Sequence, residues 1–336
     1  MESVDLRPAA IFLMGPTASG KTALACALAD RFPLQLVSVD SALVYRGLDI
    51  GSAKPDANTL ARYPHRLIDI RDPSQPYSAA EFRTDALAAM NETTRAGRVP
   101  LLVGGTGLYF RALEGSLSAL PDADPALRAE LTDEAATIGW PAMHARLMEL
   151  DPDAGQRIKP GDTQRIQRAL EVIALTGQPL SIQQVGGVQE ALPWRVLKLA
   201  LMPVQRGMLH ERIAQRFDAM LAAGFLDEAR RLHVDARLHG DLPAMRAVGY
   251  RQAWPFLDGE IDAAVFRDRA IFATRQLAKR QLTWLRRELD ARVFDPDSAT
   301  TTTQVVSAVA VFLGHDEGKR GRFGVSHTQR TKIVRN

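Results

Sequence analysis

Residues 15 to 22 read Gly15-Pro16-Thr17-Ala18-Ser19-Gly20-Lys21-Thr22, which is the G-x-x-x-x-G-K-[ST] spacing of a phosphate-binding loop. Glycines at both ends let successive backbone N–H groups curl around an anion, and the helix that follows turns its positive N-terminal end toward the same point. Lys21 is placed to reach an outer phosphate, and the Thr22 hydroxyl is placed to bind Mg²⁺. The flanks strengthen the match. Ala9 to Met14 is an apolar run that reads as a buried strand, and Ala23 to Ala29 continues in helix formers. A fortuitous glycine spacing would not bring both flanks with it. The loop therefore predicts a polyphosphate ligand, and leaves open whether phosphate is transferred, hydrolysed or discarded as a leaving group.

A loop of this kind needs a sheet beneath it. Short apolar segments at 11–14, 34–39, 65–70 and 99–103 alternate with helical stretches at 21–31 and 78–96, which predicts an α/β fold with a parallel sheet flanked by helices. In such sheets ligands collect beyond the carboxyl ends of the strands. The residues there are the glycine loop, Asp40-Ser41-Ala42-Leu43, Asp69-Ile70-Arg71-Asp72 and Gly104-Gly105-Thr106-Gly107, so four loops could converge on one crevice. Near Pro121-Asp122-Ala123-Asp124-Pro125 the texture changes to turn formers and caps, and no strand candidate follows until Trp194 to Leu201. The expected organisation is a core at 1–120, a small all-helical insertion at 121–190, the rest of the core with further helices at 191–315, and a basic, disordered tail at 316–336.

The chain has 336 residues, 46% hydrophobic and 24% charged, with a formal charge of +3. That composition is one of a folded domain protein, and no apolar run is long enough to span a bilayer. The N-terminus lacks a basic segment followed by an apolar stretch and a cleavage site, so the expected location is the cytoplasm. The single Cys26 excludes an internal disulfide or a multi-cysteine zinc site and is expected to be a small buried residue. Cations bunch from Arg246 onward: Arg246, Arg251, Arg267, Arg269, Arg275, Lys279, Arg280, Arg286 and Arg287. Such clustering is the footprint of a nucleic-acid surface, although from charge alone a solvated helix face fits equally well. Tyr250 and Trp284 are interleaved with these cations as possible stacking platforms, while their spacing alone favours the core.

The phosphate loop is joined by Ser38-Val39-Asp40-Ser41, Asp49-Ile50-Gly51-Ser52-Ala53-Lys54-Pro55 and Gly104-Gly105-Thr106-Gly107-Leu108-Tyr109. Further on come Gln164-Arg165-Ile166-Gln167-Arg168-Ala169-Leu170-Glu171, Arg246-Ala247-Val248-Gly249-Tyr250-Arg251-Gln252 and Lys279-Arg280-Gln281-Leu282-Thr283-Trp284-Leu285-Arg286. In this ordered set the chain resembles the bacterial tRNA dimethylallyltransferases, over roughly residues 8 to 290. The resemblance implies a P-loop NTPase-like core and transfer of the dimethylallyl group from dimethylallyl diphosphate to N6 of the adenosine 3′-adjacent to the anticodon. It further implies tRNAs that read codons beginning with U, release of diphosphate, Mg²⁺ as the cofactor, the tRNA anticodon stem-loop as partner, and a monomer. Asp40 and Thr106 match the catalytic positions. Diphosphate would be held by the loop from Gly15 to Thr22 and by Arg216, with Arg212 one turn away on the same helix face as the rival. The tRNA contacts implied are Asp40 to Leu43, Thr106, Arg128, Gln164 to Arg168, Arg246 to Arg251 and Lys279 to Arg286.

The chemistry implied makes demands that the residues meet. An exocyclic adenine amine is a poor nucleophile, because its lone pair is delocalised into the ring, and a base must take its proton as the N–C bond forms. Asp40, at a strand end one loop from the phosphate site, is the candidate, although an Asp there could equally cap the next turn. Three other readings compete. A P-loop kinase would use the same loop, but no arginine-rich lid is evident. A hydrolytic switch is disfavoured because the 99–103 strand ends in Gly104-Gly105 and no N-K-x-D occurs. A transferase acting on free adenine nucleotides would not need the basic motifs and the helical insertion.

Overall fold

The computed structural model describes residues 5–115, 120–185 and 191–314. In chain order the elements are β1 (Ala9–Met14), α1 (Lys21–Ala29), β2 (Leu34–Val39), α2 (Ala57–Arg62), β3 (His65–Arg66), α3 (Ala79–Arg95), β4 (Val99–Gly104), α4 (Gly107–Leu113), α5 (Pro125–Ile138), α6 (Trp140–Leu150) and α7 (Pro152–Arg157). They continue with α8 (Thr163–Thr176), α9 (Leu180–Val185), β5 (Arg195–Leu201), α10 (Arg206–Ala222), α11 (Phe225–His233), α12 (Tyr250–Leu257), α13 (Ala263–Leu285), β6 (Arg292–Phe294) and α14 (Thr301–Leu313). The chain divides into two compact units, one formed by residues up to 78, 84–107 and 193 onward, the other by 79–83 and 108–192. The expected tail at 316–336 lies outside the described residues.

The first unit is built on a six-stranded sheet in the order β3-β2-β4-β1-β5-β6, with every pairing parallel. β1 lies between β4 and β5, with Leu13 beside Val103 on one side and Leu199 on the other. Strands covered on both faces must be apolar at successive positions rather than at alternate ones, which is why Ala10 to Met14 are all buried. On one face Leu24, Ala25 and Leu28 of α1 and Val305, Val306 and Val309 of α14 pack against Ile11, Leu13, Leu36, Leu101 and Leu199. Helices on a parallel sheet place every strand's carboxyl end at one edge, and the loops of interest emerge there.

Two strands differ from expectation. The segment predicted as a strand over 65–70 pairs only at His65–Arg66, because Leu67 and Asp69 adopt φ of 64° and 56° and turn the chain out of the extended region. At the opposite edge Arg292–Phe294 forms β6, pairing Leu199 with Arg292 and Leu201 with Phe294. Three residues are too few to show alternation in sequence. Cys26 is partly exposed rather than fully buried.

Among its described residues the second unit has helices joined by short connections and no strand. Its core is formed by Leu131, Ala135, Met143, Leu147, Ile158, Ile166, Ala169 and Leu170. The interruptions seen in sequence are helix boundaries. Asp124 accepts from the amides of Ala126 and Leu127 at 2.9 and 3.1 Å ahead of Pro125, Asp151 accepts from Ala154 at 3.0 Å, and Gly177 ends α8 with φ 68°. The unit takes in Leu108 onward, before the change of composition near Pro121, because α4 already belongs mostly to it.

Candidate active site

β1 ends at Met14 and the chain turns through Gly15–Gly20 into α1. Ala18 and Gly20 are left-handed, with φ of 60° and 79°, a backbone form that gathers amides into an anion-binding concavity. Ser19 is buried, and its Oγ has no hydrogen-bond partner among the described residues. The Lys21 ammonium donates to the Pro16 carbonyl at 2.6 Å, folding over the loop. Desolvation pulls Lys21 down to about 7, against the opposing pull of Asp40 and with Arg216 adding to the depression. Arg216 is lowered by desolvation too, again opposed by Asp40. A buried hydroxyl without a partner and two desolvated cations fit an anion.

The loop opens into a cavity of about 170 Å³ at the carboxyl edge of the sheet. Thr17, Ala18, Lys21 and Thr22 form its phosphate end, and Asp40, Ala42, Leu43 and Val103 to Gly105 form its floor. α10 contributes Ile213, Arg216, Phe217 and Met220, and α13 contributes Thr274, Leu277 and Gln281. Residues 51–53 and 247–249 complete it. A cationic end is thus continuous with an apolar chamber. The loop at 69–72 does not line this cavity; Asp69 pairs with Lys54 and Asp72 accepts from Ser74. A second groove of about 340 Å³, lined by Asp30, Arg62, Tyr63 and Arg98, lies at the opposite edge of the sheet, where Asp30 and Arg62 form an exposed ion pair.

Asp40 closes the turn that follows β2. Oδ1 accepts from the amides of Ala42 at 2.8 Å and Leu43 at 3.4 Å, closing an Asx turn. Oδ2 accepts no hydrogen bond from the described residues, and Asp40 lines the cavity. Thr106 accepts from the Ser41 amide through Oγ1 at 3.2 Å and donates its own amide to Val39 at 3.3 Å, so it braces the loop that carries Asp40. Between them Gly104 is obligatory: a Cβ there would stand 1.9 Å from the Val39 carbonyl oxygen. Thr22 supplies a hydroxyl at the phosphate end of the cavity, an oxygen donor that fits Mg²⁺, whose shell water and phosphate oxygens complete. Among the described residues no group of three or more His, Cys, Asp or Glu gathers as a metal site.

The structure divides the expected RNA-contacting residues. Gln281 accepts from the Thr17 amide at 2.8 Å and donates to the Gly105 carbonyl at 3.1 Å, tying α13 to the phosphate loop. Trp284 lies on Gly107, where a Cβ would come within 2.4 Å of the indole. Leu282 and Leu285 are core, and Lys279, Arg280, Thr283 and Arg286 are exposed. In the 246–251 motif Ala247, Val248 and Gly249 line the cavity, Arg246 and Arg251 are exposed, and Tyr250 is 0% exposed. Tyr250 is therefore a core residue and no stacking platform in this conformation. Arg212 is engaged by Asp297, which leaves Arg216 as the cavity cation of the pair.

In the helical unit, Gln164 and Arg165 are exposed whereas Ile166 is core. Gln167 donates to the Arg128 carbonyl at 2.9 Å and to Thr132 at 2.8 Å. Arg128 and Arg168 are drawn to the buried Glu171, which accepts from Arg128 at 2.9 and 3.1 Å, from Arg168 at 2.7 Å and from the Asp124 amide at 2.8 Å. Arg128, Gln167 and Arg168 thus serve the fold of this unit first. Burial pulls the Glu171 carboxyl up, but the bonds from Arg128 and Arg168 outweigh it and hold it below its ordinary range. A depressed carboxylate adds stability that is present above its unfolded pKa and is lost as pH falls through the folded one. Glu171→Ala is expected to cost about 2–4 kcal/mol near neutral pH, and the deficit should shrink below pH 4; denaturant melts of both proteins at pH 7 and pH 3 check this.

Fold and site together define a P-loop-type α/β protein whose cavity joins an anion cradle to an apolar chamber. The chain belongs to the IPP transferase family, whose model matches residues 43–288. It is 62% identical over 317 residues to a tRNA dimethylallyltransferase of Stenotrophomonas maltophilia, covering 92% of this chain and 99% of that one. It is 64% identical over 281 residues to a tRNA dimethylallyltransferase of Alkalilimnicola ehrlichii, covering 84% and 88%. Among solved structures, the tRNA isopentenylpyrophosphate transferase of Bacillus halodurans superposes with a TM-score of 0.67 at 35% identity, covering 92% and 97% of the two chains. A eukaryotic dimethylallyltransferase shares the fold, with a TM-score of 0.76 at 24% identity over 91% of this chain and 80% of that one.

Proposed function

We propose that the protein transfers the dimethylallyl group of dimethylallyl diphosphate to N6 of the adenosine 3′-adjacent to the anticodon in tRNAs reading codons that begin with U. The single observation that supports this most is the two-ended cavity. Lys21, Thr22 and Arg216 suit a diphosphate, and Ile213, Phe217, Met220 and Leu277 suit a branched five-carbon tail beside it. In the reaction the N6 lone pair bonds to C1 of the prenyl group and the C1–O bond breaks. Diphosphate leaves with the bonding pair, and the N6 proton passes to Asp40 Oδ2. Lys21, Arg216 and the loop amides stabilise the charge growing on the leaving oxygen. Thr22 would hold Mg²⁺, which would supply further neutralisation of the diphosphate. The acceptor base lies in an RNA loop, so extruding it into the cavity costs little unstacking energy.

Mass analysis of tRNA nucleosides after incubation with dimethylallyl diphosphate and Mg²⁺ tests the reading, which requires a prenylated adenosine and free diphosphate. Stoichiometric ADP from ATP, coupled to turnover, would instead establish a kinase. Among the described residues no helix is long and apolar enough to cross a membrane, and the proposed setting is a cytoplasmic monomer acting on the anticodon stem-loop. The exposed cations Arg246, Arg251, Lys279, Arg280 and Arg286, with Gln164 and Arg165 in the helical unit, are the proposed phosphate and strand contacts. Replacing Arg280 and Arg286 together by Ala should flatten the log-log salt dependence of tRNA binding by roughly 1.4 to 1.8, two phosphate contacts' worth, with little change in base preference. An unchanged slope in a filter-binding titration would make this stretch a solvated helix face.

A further inference from the structure

Glu228 of α11 is a buried carboxylate, 2% exposed, that no step of the transfer uses. Its Oε2 accepts from the amides of Asp49 at 3.0 Å and Ile50 at 2.8 Å. Its Oε1 accepts from the Gly51 amide at 3.0 Å and from the Tyr250 hydroxyl at 2.6 Å. Removing a carboxylate from water costs several kcal/mol unless its oxygens are satisfied, and here four donors satisfy them. The donors come from two segments far apart in sequence, the stretch after β2 and the first residue of α12. One carboxylate therefore fixes both to α11.

Those two segments are cavity walls. Gly51, Ser52 and Ala53 line the chamber on one, and Ala247, Val248 and Gly249, which lead directly into Tyr250, line it on the other. The contact between them is close. Gly51 lies flat on the Phe225 and Tyr250 rings, and a Cβ there would stand 2.2 Å from Phe225 and 2.7 Å from Tyr250. Ala53 is held at φ 56°, a left-handed conformation that a residue with a side chain adopts only when its surroundings dictate it. At the far end of the stretch Lys54, with its side chain 4% exposed, donates to the Tyr45 carbonyl at 3.0 Å and to Asp49 at 2.6 Å, and also pairs with Asp69. A strained wall pinned at both ends is a wall whose position matters, and apolar packing alone would not set the direction of three successive amides.

We propose that Glu228 is a positioning residue for prenyl transfer, holding residues 51–53 and 247–249 at a fixed spacing around the prenyl tail of the donor. The inference rests on the reading of the cavity as the site of transfer. Glu228→Gln keeps shape and packing but turns an NH₂ toward donors, so one half of the cradle must open. Tyr250→Phe removes a single donor and leaves the ring in place. With tRNA saturating, at a temperature well below melting, Glu228→Gln should lower kcat/KM for dimethylallyl diphosphate by about tenfold or more, the scale of one hydrogen bond to a charged group. Tyr250→Phe should lower it by about threefold, and the double variant should fall no further than Glu228→Gln alone, because the two act through one bond. The tRNA affinity and its salt slope should stay at the parent's values in all three.

A merely structural Glu228 would lower the melting temperature and leave kcat and KM of the folded protein unchanged, and that result would overturn the proposal. If Glu228→Gln fails to fold, Tyr250→Phe with unaltered donor kinetics overturns it in the same way. A parent protein that forms no prenylated adenosine overturns the functional reading together with this one, whereas an active parent with kinetically unaltered variants overturns this one alone.

Discussion

Single-turnover prenylation by Asp40→Asn should fall by about two orders of magnitude or more, the usual scale for losing a general base, while tRNA and donor still bind. Asn is the informative replacement. It retains the Oδ1 acceptor that closes the turn onto Ala42 and Leu43 and loses only the proton-accepting oxygen at the cavity. Asp40→Ala removes the turn as well and should cost about 1 kcal/mol of stability beyond the catalytic loss. If Asp40→Asn turned over at close to the parent rate while Asp40→Ala did not, the carboxylate would be a loop brace, and the proton would have to leave by another route. Similar losses in both assign it to the chemistry.

The phosphate loop, the parallel sheet and Asp40 were legible in sequence because each rests on local rules: glycine at left-handed positions, continuous apolar strands, and an acid at a strand end. What was not legible depends on long-range pairing. Gln281 sits in a basic stretch that reads as an RNA contact, yet its amide spans Thr17 and Gly105, partners 264 and 176 residues away in sequence. Tyr250 lies between cations and is nonetheless core, because Phe225 packs edge-on against its ring at 5.2 Å and Glu228 takes its hydroxyl. Arg128 and Arg168 look like RNA-binding cations until the buried Glu171 between them is seen. One signal was available for Glu228: it occupies the apolar stripe of α11 with Phe225, Ala229 and Leu232, where an acid must find donors or destabilise the helix's packing.

Lys21→Met should abolish donor use and yet stabilise the ligand-free protein at neutral pH. Enclosure lowers the ammonium to about 7 from an ordinary value of 10.5, so the unfolded chain holds a proton that the folded chain resists. A group lowered in this way destabilises the folded state fully below pH 7, and the penalty fades as pH rises to 10.5; its contribution to stability therefore rises with pH across that window. Met has the length without the charge. The variant should melt above the parent at pH 7, and the two melting temperatures should converge toward pH 10. Binding reverses the electrostatics. A diphosphate restores the proton to Lys21, so parent affinity for inorganic diphosphate should weaken by up to about tenfold per unit as pH climbs above 7, and change little from this group below it. Calorimetry at pH 8 in two buffers of different ionisation heat should register uptake of close to one proton by the parent and less by Lys21→Met. A parent that takes up no proton, or a variant that melts below it at pH 7, would show that Lys21 already carries its charge in the empty site and that the loop is paired more fully than its folded-back ammonium indicates.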